Sequence, residues 1–148
     1  MKTSPTMQEF VQQLLARYNV ELCHVGAFLR LDQPMYDSLV IDQVGPSQLA
    51  VMICFVECGE WKIDREVIFF TGDPKQWIPL EITQLETGWT AFARLSSDSQ
   101  RIVRLNPCGQ ERLAEFTERW ARKLMGQNWL TEGTPYVTWT PPSRKELL

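Results

Sequence analysis

The 148-residue chain has no apolar run near the roughly 18 residues of a membrane helix. Its longest, Leu49 to Val56, has the length of a strand. The opening MKTSPTMQEF lacks the apolar core of a secretory leader, so the expected compartment is the cytoplasm, with no membrane partner. Lysine and arginine never cluster beyond three residues and the net charge is −3. No phosphate-tracking stripe is laid out, so nucleic acid is not the expected partner. There is one histidine, His24, and Gly-rich phosphate loops, HExxH and GxSxG are all absent. Cysteine is sparse. Cys23, Cys54, Cys58 and Cys108 read as free thiols of a reducing compartment.

What is present suits one α+β domain over residues 1–148, with a core at about 5–130 and an extended tail at 131–148. The chain is 44% hydrophobic and 22% charged, and its length is enough to bury one core without a metal or a disulfide. Pro5 to Tyr18 reads as a helix, with Ser4 as N-cap or a capping box from Thr6 to Glu9, and Asn19 as a left-handed stop. Phe10, Val11, Leu14, Leu15 and Tyr18 form its apolar stripe. Strand signals follow at 25–31, 38–44, 49–56, 63–70, 78–84, 89–95 and 101–105, separated by short turns. Such turns imply antiparallel neighbours, so five to seven strands form a meander. A second helix starts at Asn106-Pro107, buries Leu113, Phe116, Trp120 and Leu124 on the sheet, and ends at Gly126 as its C′ residue. The tail carries Trp129, Tyr136 and Trp139 and reads as partly docked, with Ser143 to Leu148 expected to be mobile.

The stretch CFVECGEWKIDREVIFF, Cys54 to Phe70, asks most directly whether the chain carries chemistry. Structural zinc needs four ligands from two short-spaced pairs, and here there is one pair, so neither metal nor cofactor is expected. A hairpin fits better, with Gly59 supplying positive φ at its tip. A cysteine nucleophile needs a base, and His24 sits in a strand-like stretch where a structural role is commoner. Asp64 and Glu66, two apart on a strand, share a face opposite Arg65 and Val67. They read as a solvated ion-pair edge or, alternatively, as an acid–base pair. Trp61, Trp77 and Trp89 fall at strand ends, where they either close the sheet or line a groove.

Three segments in order, CGEWKIDREVIFF, WIPLEITQLETGW and LAEFTERWARKLMGQNW, resemble a family of uncharacterised bacterial proteins. The matching positions are Gly59, Asp64, Trp77, Pro79, Gln84, Gly88, Phe116 and Trp120, over about residues 10–130. Arg65 departs from the pattern, which has Pro after the Asp. The resemblance implies a domain of unknown function and lends no catalytic residues.

The reading is therefore a non-enzymatic binding or protein-interaction module, with Trp61, Trp77, Trp89, Asp64 and Glu66 as binding residues and no catalytic ones. Two alternatives stand beside it. One is an enzyme using Asp64 and Glu66 with His24 or Cys58. The other is a nucleic-acid-associated accessory protein. The partner is a protein, or a second copy met through a sheet edge or the aromatic tail.

Overall fold

A computed structural model describes residues 1–142. The expected mobility of Ser143 to Leu148 lies outside the described residues. Helix α1 (Pro5–Arg17) leads into β1 (Phe28–Gln33), β2 (Tyr36–Gly45), β3 (Gln48–Glu57), β4 (Glu60–Phe70), β5 (Ile78–Gln84) and β6 (Gly88–Ala91). A small ribbon, β7 (Ala93–Leu95) and β8 (Ile102–Leu105), precedes α2 (Pro107–Met125), the single turn α3 (Trp129–Glu132) and β9 (Thr134–Tyr136). Every strand pairing is antiparallel, and the large sheet has the order β6-β5-β4-β3-β2-β1-β9. This is the expected α+β meander, with one strand added from the tail.

Alternation along the strands gives the sheet two apolar faces. One packs under the helices, where Phe10, Leu14, Leu31, Val51, Phe69 and Trp120 meet in the larger core. The other holds Val40, Met52, Cys54, Ile63 and Ile68. Among the described residues, no helix packs on it. The β7–β8 ribbon lies over one end through Ala93, Leu95 and Ile102, and Trp139 packs on the other. β3, apolar at nearly every position, is buried from both sides, as its run of apolar residues requires.

Hydrogen bonds weld the two helices together. Ser4 occupies the N-cap position of α1 without capping it. Thr117 Oγ1 donates to the Ala114 carbonyl, so the buried Ser4 hydroxyl, 2.7 Å away, donates to Thr117. The first amides of α1 turn instead to α2. Thr6 N–H and Met7 N–H donate to the Glu118 carboxylate at 3.0 and 3.2 Å, which replaces the local capping box expected from the sequence. A carboxylate there also opposes the positive end of the helix dipole. Asn106 does cap α2, accepting from Gly109 N–H at 3.1 Å.

Several expected boundaries move. β1 runs two residues past Leu31, because the reversal is confined to Pro34-Met35 between the paired Gln33 and Tyr36. The strand expected at 89–95 breaks at Phe92, whose ring sits so close to Gly109 that a Cβ there would approach it to 2.2 Å. Gly126 keeps a right-handed φ of −76°. The left-handed residue is Asn128, φ 62°, and it redirects the chain into α3.

Candidate functional site

The hairpin expected within Cys54 to Phe70 forms. Glu57 pairs with Glu60, and the two residues between them, Cys58 and Gly59, take φ of 53° and 79°. Positive φ at both central positions is the signature of a type I′ turn, whose twist matches the strands it joins. Further along β4, Ile53 pairs with Arg65 while Cys54 pairs with Ile63, which leaves Asp64 as an extra, unpaired residue. This bulge corrects the expectation that Asp64 and Glu66 share a face. An inserted residue shifts the alternation by one, so Ile63 and Glu66 point together to the face away from the helices. Asp64 is exposed and lines a hollow of about 200 Å³ on the helix side with Arg65, Lys123 and Trp129. Glu66 is 1% exposed.

The three candidate tryptophans do not converge either. Trp77, 6% exposed, packs at 6.2 Å from Phe69 in the helix-side core and closes that end of the sheet. Trp89, 42% exposed, stands on the edge strand β6 beside a hollow shared with Glu81 and Arg94. Trp61 alone lies at a built site, on the helix-free face under the C-terminal segment.

That site is assembled around Arg30. β1 places Phe28, Arg30 and Asp32 on the helix-free face, alternating with Leu29 and Leu31 in the helix-side core. The Arg30 guanidinium lies 4.4 Å from the centroid of Trp61, 4.5 Å from that of Tyr136 and 5.0 Å from that of Trp139. Three ring faces around one cation make a favourable electrostatic seat. Asp32 fixes the cation from the strand itself: Arg30 Nε donates to its Oδ1 at 3.0 Å, and Nη2 pairs with Oδ2. Ser38 Oγ donates to the same carboxylate at 2.6 Å. Burial pushes the Asp32 carboxyl up, but the hydrogen bonds from Arg30 and Ser38 outweigh it and hold the group below its ordinary value.

The C-terminal segment covers this shelf. β9 adds antiparallel to β1, with Thr134, Pro135 and Tyr136 opposite Asp32, Leu31 and Arg30. Trp139 then meets Trp61 edge-on at 4.8 Å and Phe28 at 6.0 Å. Beyond it, Thr140, Pro141 and Pro142 overhang a hollow of about 380 Å³ lined by Gly26, Phe28, Asp42, Met52 and Glu66. The root of the segment is firm. Tyr18 donates from its hydroxyl to the Trp129 carbonyl at 2.6 Å and accepts from Gly133 N–H at 3.1 Å.

The groups available for covalent or acid–base chemistry are scattered. Burial, and then the charge of Glu66, push the Cys54 thiol up to about 12, so it stays protonated at neutral pH. Cys58 is exposed at the hairpin tip, and Cys23 and His24 are exposed neighbours with Sγ and Nδ1 3.8 Å apart. Among the described residues, no three His, Cys, Asp or Glu side chains gather where they could hold a metal ion. No helix among them is long and apolar enough to cross a membrane.

Comparison with known proteins adds nothing to this geometry: no family model, curated protein or solved structure matches the chain. Arg30, Tyr136 and Trp139 were not singled out as binding residues in the sequence. The only signal was the alternating FLRLDQ, which puts a cation and an anion on one side of a strand, together with the aromatic tail.

Proposed function

We propose that this chain is a non-enzymatic binding module whose site is the helix-free sheet face around Arg30 and Trp61. The observation that carries the reading is the contrast in cover. An apolar face that elsewhere would be sealed by helices is closed here by the β7–β8 ribbon at one end and, at the other, by an extended segment of about nine residues held on a cation–aromatic shelf, with a hollow beside it. Large aromatics and arginine are the side chains that carry most binding energy at interfaces. An enzyme built on Asp64 and Glu66 would need both within hydrogen-bond reach of one substrate, and the bulge sends them to opposite faces. The four free thiols are what a reducing cytoplasm would leave, and the cytoplasm is the compartment we propose. The resemblance to a family of uncharacterised bacterial proteins fits this reading without supplying an activity.

A thermal-shift screen over peptides, nucleotides and metabolites tests it. A ligand at 100 times its Kd should add about 2.7 kcal/mol of stability. Its amide-shift footprint should centre on Phe28, Met52 and Trp61. A footprint at Trp89 or along α2, or no ligand at all, would overturn the reading. Retention on heparin at low salt would favour a nucleic-acid partner instead.

A further inference from the structure

The segment that covers the site is itself built like a peptide ligand. It adds as a strand to the edge of β1 and inserts its aromatic residues among side chains of the acceptor, as extended peptides do when they augment a sheet. Part of the acceptor is independent of it: Asp32 and Ser38 hold Arg30 from β1 and β2, and Trp61 comes from β4, while Tyr136 and Trp139 of the segment add the other two rings. The segment also uses the edge incompletely. β9 pairs with Arg30, Leu31 and Asp32 only, and among the described residues no strand pairs with the outer edge of β1 at Phe28 and Leu29. Its hold is thin: three paired residues, all exposed, one of them a proline that cannot donate to the ladder. Behind it, the bonds of Tyr18 to Trp129 and Gly133 fix the root, so release would begin at Thr134 and leave the domain intact.

We propose that the outer edge of β1 with the Arg30–Trp61 shelf is a peptide-binding site, and that residues 134–142 are its built-in, displaceable occupant. The partner is a protein presenting an extended segment with two aromatic residues three apart, matching Tyr136 and Trp139. Such a segment gains ladder bonds opposite Leu29 and Phe28 that the resident one leaves unmade. Tethering gives the resident segment an effective concentration on the order of millimolar, which a partner must outcompete. This inference rests on the binding-module reading and names the ligand class for that same site.

The test uses the full chain and a fluorescein-labelled peptide of residues 133–142. Tyr136→Ala/Trp139→Ala weakens the resident segment. This variant should bind the peptide at least tenfold more tightly than the unaltered chain does, and adding Trp61→Ala should abolish binding. Failure of the double variant to bind while it still melts cooperatively overturns the proposal, as does equal binding by both chains. A dimer of the unaltered chain that dissociates on the double substitution assigns the segment to a second copy and equally overturns it. Hydrogen exchange on the unaltered chain gives a reading independent of variant folding. The Tyr136 amide should exchange at least a hundredfold faster than that of Val51, and equal protection sinks the displaceable segment. A non-peptide ligand whose footprint falls on Met52 and Phe28, with no peptide binding, would refute this inference and leave the binding-module reading standing.

Discussion

The sheet's two faces are closed in different ways. Beneath the helices, Met7, Leu14, Val51 and Phe69 are fully buried, and α1 and α2 each contribute side chains from a regular apolar stripe. On the other face the cover is a two-stranded ribbon and a short extended segment, and the contacts include a charged pair and cation–aromatic stacking. The first arrangement is built mainly by hydrophobic burial, with the polar contacts of Ser4, Thr117 and Glu118 between the helices and Arg65 stacked on Phe116 and Trp120. In the second, an arginine held by Asp32 and stacked on aromatic rings carries a short extended cover.

Substitutions graded by size should separate the two. Phe69→Ala, which opens a cavity under the helices, should cost about 3–5 kcal/mol in chemical denaturation. Trp139→Ala should cost less, about 1–2 kcal/mol, because it removes ring and cation contacts from a cover and not from the core. If the two losses were equal, the contrast between the faces would fail. Glu118→Ala should cost about 1 kcal/mol by stripping the acceptor from the first amides of α1, and the loss should appear in the helix–helix contact without altering exchange at β9.

The pH dependence sharpens the same comparison. Asp32 titrates below its ordinary value when folded, so its contribution is present above about pH 4 and is lost as pH falls through the lowered folded value. Acid titration of Asp32→Asn should lack this portion of the stability loss. Cys54 has the opposite sign. Its folded value of about 12 lies above the ordinary 9.0, so its contribution is complete below pH 9 and is lost between about 9 and 12. Native-state thiol titration at neutral pH should label Cys23, Cys58 and Cys108 and spare Cys54. The smallest effect is expected at the hairpin, where Cys58→Asn places a residue that tolerates positive φ. A gain of a few tenths of a kcal/mol in the melt is expected.

Local signals carried most of the fold. Pro5 and Asn106-Pro107 mark helix starts, Gly59 marks a hairpin, and the apolar block Leu49 to Val56 marks a strand covered on both sides, all within windows of a few residues. The site was less legible. Trp77 and Trp89 resemble Trp61 in their place at strand ends, and nothing in the neighbouring residues tells a core tryptophan from an edge one or from one on the shelf. Asp64 and Glu66 carry the two-residue spacing of a shared face. Only the pairing of β3 with β4, decided by residues ten and more positions away, inserts the bulge that separates them.

The sequence by itself determined the two long helices, the antiparallel order of six strands and the helix-side stripes, because each follows from periodicity and turn chemistry acting over short distances. The tertiary structure alone decided that Glu118 of α2 would cap α1, that a three-residue strand from the tail would join β1, and that Arg30 would sit among Trp61, Tyr136 and Trp139. Those contacts join residues about 30 to more than 110 positions apart in the chain. Their energy depends on distances and angles that exist only once the sheet has twisted and the helices have packed, and no local pattern of residues encodes them.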